Sequence, residues 1–269
     1  MSRPSIPTLL FAFLLLSLPT LYGESSPPNI ILLYADDLGY TDLSCQGSDY
    51  YRTPNIDRLA KEGVTFTNAY AAAANCAPSR ASLMTGLYTP RHGVFTVGNS
   101  DRGKAAHRRL IPATNKTVLT RTLPTMAQVL KKAGYRTAVA GKWHLSDDPI
   151  PYGFDTNFGG LKWGAPKSYF SPYRNPKLKD GPKGEHLPAR LATDLCHWIR
   201  NAEEKSERFF VYFPFYSVHT PIQARADLPA RYNGKSGTHH SNAKYAAMIE
   251  AMDLAVGQIL DLLDELKLA

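Results

Sequence analysis

Cysteine is scarce in this sequence. Only three occur among its 269 residues, Cys45, Cys76 and Cys196. They are too few and too widely spaced for a disulfide scaffold or a structural zinc site. An odd number leaves at least one thiol unpaired, while a bridge between Cys45 and Cys196 and two buried free thiols both fit the pattern.

The sequence also lacks an apolar run long enough to span a bilayer. Its most apolar stretch, Leu9 to Leu18, is shorter than the roughly 20 residues of a transmembrane helix. Arg3 precedes it and the small residue Gly23 follows, so residues 1–23 are predicted to be a signal peptide. No cysteine comes directly after the predicted cleavage point, which argues against a lipoprotein. We expect an exported protein, periplasmic or secreted, without stable membrane insertion.

Acidic residues are outnumbered by basic ones. The chain has 31 Lys and Arg against 23 Asp and Glu, for a formal net charge of +8. This balance favours anionic partners such as nucleic acid, an acidic polysaccharide or a sulfated small molecule, although solvated basic loops would have the same composition. No nucleic-acid-binding motif occurs, so we expect no nucleic-acid partner.

Strand-like and helix-like segments alternate after the signal peptide, which predicts one α/β domain with helices on both faces of a mostly parallel sheet. The expected strands are Asn29 to Ala35, Val64 to Tyr70, Arg136 to Ala140 and Phe209 to Pro214. The expected helices are Pro54 to Glu62, Pro78 to Met84, Pro124 to Ala133, Pro188 to Glu203 and Asn242 to Lys267. Two stretches are expected to be surface loops, Gly98 to Arg121 and Tyr152 to Gly184.

Polar residues follow three of the expected strands. Asp36 and Asp37 follow the first, Lys142 and His144 the third, and His219 the last. In an open α/β sheet, ligands bind in the crevice beyond the carboxyl ends of the strands. Adjacent carboxylates repel unless a cation or hydrogen bonds offset their charge. The aspartate pair therefore indicates either a site for a hard metal ion or a turn.

Cys76 lies just before the helix expected to contain Pro78. Backbone N–H groups at the start of a helix, together with Arg80, would stabilise an anion or a thiolate. A lone cysteine is more often a small buried apolar residue. From the residues alone, both interpretations stay open.

The segment Cys76-Ala77-Pro78-Ser79-Arg80, followed by Thr85-Gly86, resembles the C-x-P-S-R signature of type I, formylglycine-dependent sulfatases. Further blocks similar to that family occur in its order: Asn29-Ile30-Ile31, Asp36-Asp37-Leu38-Gly39, Thr53-Pro54-Asn55-Ile56-Asp57, Gly141-Lys142-Trp143-His144-Leu145, Gly153-Phe154-Asp155 and His219-Thr220-Pro221. As a set these blocks are highly specific. The resemblance covers essentially all of residues 24–269 and implies the N-terminal portion of an arylsulfatase-like enzyme with an alkaline-phosphatase-like fold.

The resemblance implies that a formylglycine-generating enzyme converts Cys76 to formylglycine while the chain is unfolded. The hydrated aldehyde would attack the sulfur of a sulfated carbohydrate or aryl ester, and its second hydroxyl would then eject sulfate. Asp36 and Asp37, with the modified Cys76, match the family's calcium ligands.

Four further matches imply catalytic roles. Arg80 would orient the diol, and Lys142 would hold a sulfate oxygen. His144 would take the diol proton during sulfate release, and His219 would protonate the leaving oxygen. His92 also matches a recurrent family position, where we expect a structural role.

Part of the family pattern is missing from the sequence. An Asp-Asn pair that completes the calcium site and a second sulfate-binding lysine would follow Ala269, the last residue. We therefore expect residues 24–269 to form a C-terminally incomplete catalytic domain, without the last metal-ligand strand and the small C-terminal domain. The alternatives are a phosphonate or phosphate ester hydrolase of the same superfamily and a non-catalytic remnant that binds sulfated glycans.

Overall fold

The computed structural model describes residues 27–268, and the predicted signal peptide lies outside this range. The strands are β1 (Ile30–Tyr34), β2 (Arg136–Ala140), β3 (Thr156–Phe158) and β4 (Phe209–Pro214). The α-helices are α1 (Pro54–Glu62), α2 (Cys76–Thr85), α3 (Thr89–His92), α4 (Met126–Lys132), α5 (Leu187–Glu204) and α6 (Ala243–Glu265). Across residues 27–268, no helix has both the length and the apolar character to cross a membrane.

The strands form one parallel sheet in the order β1-β4-β2-β3. Ile30 of β1 lies opposite Phe210 of β4, and Val211 lies opposite Ala138 of β2. Because the strands are parallel, their carboxyl ends meet at one edge of the sheet. The polar residues that follow β1, β2 and β4 are therefore brought to the same edge.

Alternate residues of β4 face two separate hydrophobic cores. Phe209, Val211 and Phe213 pack in a core that includes residues of α5 and α6. Phe210 and Tyr212 pack on the other face, in a core that includes residues of α2 and α4. Every residue of β4 is buried, as expected for a strand covered on both faces. The predicted α/β architecture with helices on both faces is confirmed.

Backbone hydrogen bonds beyond the strand ends hold the three polar segments in register. The N–H of Asp36 donates to the carbonyl oxygen of Ser217 at 3.0 Å, and the N–H of Val218 donates back to Asp36 at 2.7 Å. The N–H of Lys142 donates to the carbonyl oxygen of Pro214 at 2.8 Å. These bonds fix the backbone positions from which the candidate site is built.

The start of α1 is capped by α6. The carboxylate of Asp253 accepts from the backbone N–H groups of Asn55 and Ile56 at 3.1 and 2.8 Å. Thr53 occupies the N-cap position, but its side chain donates to Asp57 and makes no cap bond to the helix backbone. Asp253, which is distant in sequence, therefore accepts the hydrogen bonds that a local N-cap side chain would otherwise accept.

One strand prediction is wrong, and one strand lies in a segment that was predicted to be a loop. Val64 to Tyr70 forms no strand, and the side chains of Val64 and Tyr70 are 80% and 87% exposed. A strand needs a hydrogen-bonded neighbour, and none of the described residues pairs with this segment. In contrast, β3 forms inside the predicted loop Tyr152 to Gly184 because its backbone pairs with β2.

The proposed bridge between Cys45 and Cys196 does not form. Cys45 is exposed, Cys196 is buried within α5, and both are free thiols. The alternative of two buried thiols holds only for Cys196. Cys76 is also a free thiol.

We predict that Gly141→Ala destabilises the fold by more than about 2 kcal/mol. Gly141 has a φ of +113°, and a Cβ there would collide with the carbonyl oxygen of Pro214. Gly47→Ala is the matched control, since Gly47 has a φ of +99° and open space around its Cβ position. Urea unfolding of both variants measures the difference, and equal losses would show that the collision is relieved without cost.

Candidate active site at the carboxyl edge of the sheet

One cavity brings together the predicted nucleophile precursor and the aspartate pair. Asp36, Asp37, Cys76 and Ser79 line a space of about 360 Å³ between the end of β1 and the start of α2. The two aspartates lie about forty positions before Cys76 and Ser79 in the sequence, and the parallel topology places the two pairs side by side. Three of the predicted site residues, Asp36, Asp37 and Cys76, therefore line one cavity.

Cys76 is the first residue of α2 and is half-buried. The N-cap residue Asn75 makes no side-chain bond to the helix backbone; its amide donates to the Thr96 hydroxyl at 3.3 Å. Unsatisfied N–H groups and the helix dipole give this end of α2 a positive potential. A group with developing negative charge at position 76 would be stabilised there.

A buried ion triad lies beneath the cavity. The Nη2 atom of Arg80 is 3.0 Å from Oδ1 of Asp36, and the ammonium group of Lys142 binds Oδ2 of the same carboxylate. Asp36 is 4% exposed, and Arg80 and Lys142 are fully buried. One carboxylate thus faces two cations, so the triad has an excess positive charge. Uncompensated buried charge is costly, which favours an anion in the adjacent cavity.

Two tyrosine side chains also contact the guanidinium group of Arg80. Its guanidinium lies over the ring of Tyr34, 5.1 Å from the centroid, and its Nη1 atom donates to the carbonyl oxygen of Lys142 at 2.7 Å. Nη1 also lies 3.4 Å from the Tyr212 hydroxyl. The Tyr34 hydroxyl is hydrogen-bonded to Ser79 at 2.6 Å. These contacts lock the guanidinium in place beside the cavity.

His144 is held as a neutral imidazole. Burial, together with the neighbouring charges of Lys142 and Arg80, lowers its pKa from 6.5 to about 4. Its Nδ1 atom is buried without a hydrogen-bond partner among the described residues. Gly164 lies against the ring, and a Cβ there would come within 2.7 Å of it. A neutral imidazole with a free nitrogen can accept a proton.

His219 faces the exposed member of the aspartate pair. Its Nε2 atom is 3.7 Å from Oδ2 of Asp37, and its Nδ1 atom donates to the carbonyl oxygen of Thr220 at 2.7 Å. The Tyr169 hydroxyl lies within hydrogen-bond distance of the carbonyl oxygens of Tyr216 and His219, at 2.6 and 2.8 Å. With Nδ1 engaged, Nε2 is the nitrogen available for proton transfer.

The described residues do not by themselves fit a calcium ion. No group of three or more His, Cys, Asp and Glu side chains within residues 27–268 is placed to hold a metal. Both carboxylate oxygens of Asp36 bind cationic side chains, and the side chain of Asp37 is 61% exposed. Calcium takes roughly six to eight oxygen ligands. Asp36 and Asp37 would need oxygen donors from elsewhere.

His92 does not line the cavity. Its Nε2 atom is 3.0 Å from the Ser82 hydroxyl, and its Nδ1 atom accepts from the backbone N–H of Val94 at 3.1 Å. The ring is fully buried and ties α2 to the end of α3. Both nitrogens are used in local structure, as expected for a structural histidine.

The sequence analysis did not predict four residues that contact the site, three tyrosines and one glycine: Tyr34, Tyr212, Tyr169 and Gly164. The first two lie inside apolar strand runs, where the sequence pattern indicates only core packing. Tyr169 and Gly164 lie in a predicted surface loop. No local pattern marks any of them, because their role depends on which distant residues they contact.

Comparison with known proteins identifies related sequences. The family model described as Sulfatase matches residues 28–269. The chain is 34% identical to a sulfatase of Formosa agariphila, over 96% of this chain and 57% of the relative. It is 32% identical to the human N-acetylgalactosamine-6-sulfatase, over 92% of this chain and 48% of the relative. It thus spans about half the length of the curated relatives it matches.

Solved structures share the fold. The crystal structure of Ps i-CgsB in complex with k-i-k-neocarrahexaose matches with a TM-score of 0.74 and 30% identity, covering 89% of this chain and 55% of that one. The phosphonate monoester hydrolase of Agrobacterium radiobacter matches with a TM-score of 0.64 and 19% identity, covering 90% and 60%. At that identity the similarity concerns the fold alone. The predicted fold class is confirmed, and the chain spans 55% and 60% of the lengths of these two structures.

We predict that Asp36→Asn destabilises the protein by about 3 to 5 kcal/mol, because it leaves Arg80 and Lys142 buried without their carboxylate. Asp37→Asn is the matched control. The Asp37 side chain is 61% exposed, so this change should have little effect on the free energy of unfolding. Urea unfolding compares the two, and similar losses would contradict a structural role for the triad.

The pKa of His144 predicts a pH dependence of stability. Because its folded-state pKa of about 4 lies below its ordinary 6.5, the unfolded chain binds the proton more readily. Stability should therefore fall as the pH falls from 6.5 to 4. Burial lowers the pKa of His186 to about 4 as well, so it acts in the same direction.

The fall in the free energy of unfolding between pH 6.5 and 4 should be smaller in His144→Gln than in the wild type, as measured by urea unfolding. His197→Gln, which changes an exposed histidine on α5, should retain the wild-type slope. An unchanged slope in His144→Gln would contradict the assignment.

Proposed function

Since the chain belongs to the type I sulfatase family, we propose that it contains the nucleophile-bearing part of a sulfuric ester hydrolase. The observation that carries the proposal is the buried triad of Asp36, Arg80 and Lys142 beneath the cavity that contains Cys76. Its excess positive charge suits a sulfate ester, which carries one negative charge in the ground state. The start of α2 adds positive potential at the same point.

The nucleophile in this proposal derives from Cys76, converted to formylglycine by a formylglycine-generating enzyme. The hydrated aldehyde would supply a hydroxyl for attack on sulfur and a second hydroxyl through which sulfate is released. The signature residues Pro78 and Arg80 support the conversion. The half-buried position of Cys76 in the cavity suits a nucleophile that a substrate must reach. An unmodified thiol at that position has no hydroxyl through which sulfate could be released.

The surrounding side chains provide binding and proton transfer. Arg80 and Lys142 would orient and bind anionic oxygens at the floor of the cavity. His144, neutral above pH 4 because burial lowers its pKa, would accept the proton released when sulfate leaves. His219, with Nε2 directed towards Asp37, would protonate the leaving oxygen as general acid.

Calcium enters the proposal only for the whole protein. Asp36 and Asp37, with the modified residue at position 76, would form part of the ligand set. The other oxygen donors would come from a segment outside residues 27–268, because the described residues do not complete the coordination.

The substrate class is a sulfated carbohydrate. Several relatives are named as N-acetylgalactosamine-6-sulfatases, including a bacterial one from Bacteroides thetaiotaomicron that is 30% identical over 91% of this chain. The formal net charge of +8, which becomes +7 when Arg3 is removed with residues 1–23, agrees with a polyanionic substrate. The protein would act after export, with residues 1–23 removed as a signal peptide.

The proposal predicts that Cys76→Ala lowers turnover of an aryl sulfate by at least about 1,000-fold. The chain should be produced together with a formylglycine-generating enzyme. Peptide mass spectrometry then reports whether Cys76 has become an aldehyde and whether the mature chain begins after Gly23. Cys76→Ser is the matched control, since it keeps one hydroxyl but cannot form a diol.

The outcomes distinguish the alternatives. Faster turnover of an aryl phosphonate than of an aryl sulfate would favour the phosphonate or phosphate ester hydrolase. Binding of a sulfated glycan without any turnover would indicate a non-catalytic remnant. A thiol retained at Cys76 in the presence of the modifying enzyme would contradict the proposed nucleophile.

A further inference from the structure

Both carboxylate oxygens of Asp36 are bound by side-chain cations. The Nη2 atom of Arg80 lies 3.0 Å from Oδ1, and the ammonium group of Lys142 binds Oδ2. The family resemblance assigns Asp36 to calcium, so the observed contacts and the assigned role are in conflict. A metal ion at Asp36 would have to compete with one of these two cations.

Arg80 is held in place by groups other than Asp36. Its Nη1 atom donates to the carbonyl oxygen of Lys142 at 2.7 Å, and its guanidinium lies over the ring of Tyr34. A planar guanidinium with several fixed contacts keeps its position when one of them is lost. Arg80 is therefore the less easily displaced of the two cations.

The ammonium group of Lys142 has fewer contacts. It is fully buried, and Asp36 is its one hydrogen-bond acceptor among the described residues. An ammonium group can donate three hydrogen bonds, so two donors have no acceptor from residues 27–268. The lysine stem is flexible, whereas its backbone N–H is fixed to the carbonyl oxygen of Pro214 at 2.8 Å. The ammonium can therefore turn to another acceptor without movement of the backbone.

The cavity that contains Cys76 is the place where another acceptor would bind. Asp36 lines this cavity, so the ammonium bound to its carboxylate lies at the cavity boundary. The triad has two cations for one carboxylate, and an anion in the cavity would attract the less fixed cation, Lys142. Oδ2 of Asp36 would then be released beside Asp37, which lines the same cavity.

We propose that Lys142 is a displaceable counter-ion that couples anion binding in the cavity to divalent-cation binding at Asp36 and Asp37. While the ammonium is bound to Asp36, it blocks the cation. When an anion takes the ammonium, Asp36 becomes available, and each ligand strengthens binding of the other. The inference rests on the proposed function for the identity of the two metal-binding carboxylates. It gives Lys142 a regulatory role in addition to sulfate binding.

The proposal has a quantitative consequence. The apparent affinity for the cation is reduced by the fraction of molecules in which Asp36 is free of the ammonium. Coupling between two binding sites is reciprocal and commonly amounts to about 5- to 150-fold. Calcium should therefore bind weakly to the chain alone and more tightly when sulfate is present.

The coupling is tested by isothermal titration calorimetry of calcium chloride into the 269-residue chain, with Cys76 left as a thiol. Water can fill the calcium positions that the chain does not supply. Titrations in sodium sulfate and in sodium chloride of equal ionic strength separate sulfate binding from general screening. The calcium affinity should be at least about 5-fold higher in sulfate. Equal affinities, or no calcium binding in either salt, would overturn the proposal.

Lys142→Met removes the competing ammonium and leaves Arg80 paired with Asp36. In sodium chloride it should bind calcium at least about 10-fold more tightly than the wild type, and sulfate should no longer raise the affinity. Lys177→Met is the matched control. It removes an ammonium that is paired with Asp148 at 2.6 Å, and neither residue lines the cavity, so it should bind calcium as the wild type does. Urea unfolding checks that both variants are folded.

Two further outcomes would also overturn the proposal. Direct attraction between bound calcium and bound sulfate would couple them without the lysine, and the effect of sulfate would then persist in Lys142→Met. Asp37→Asn, added to Lys142→Met, should abolish the gained calcium binding. Retained binding would place the ion elsewhere. The measurements concern binding and not ester cleavage, so they can fail while the proposed hydrolysis succeeds, and the reverse.

Discussion

The carboxylate of Asp36 is the interaction on which the candidate site depends. It binds Arg80 from α2 and Lys142 from the segment after β2, and the backbone N–H and carbonyl groups of Asp36 are hydrogen-bonded to the segment after β4. Three parts of the chain thus meet at one buried charge. Removing it would leave two cations in a low-dielectric interior, so the local fold and the electrostatics of the site cannot be separated.

The excess positive charge of the triad shapes the chemistry around it. It favours an anion in the cavity that contains Cys76, and together with burial it keeps the nearby His144 neutral. A site arranged in this way combines two properties that conflict in water, strong anion binding and a free basic nitrogen. Cations and an uncharged imidazole can coexist because burial disfavours further protonation.

Much of the fold follows from local sequence patterns. The strands β1, β2 and β4 were predicted from the alternation of strand-like and helix-like segments. The helix α2 was predicted from Pro78 in its first turn and Gly86 after its end, although it begins two residues earlier than expected, at Cys76. β3 was not predicted because three residues carry too little pattern and form a strand only by pairing with β2. Val64 to Tyr70 shows the opposite case, since strand-like composition cannot form a strand without a paired neighbour.

The sequence by itself determined which reactive residue types occur and in which motif: Cys76 before Pro78 and Arg80, and acidic or basic residues after three strands. Only the tertiary structure decided that both oxygens of Asp36 are bound by cations and that the pKa of His144 is lowered. Burial and charge proximity arise between residues far apart in the chain, and a linear pattern specifies residue type and spacing but not these distances.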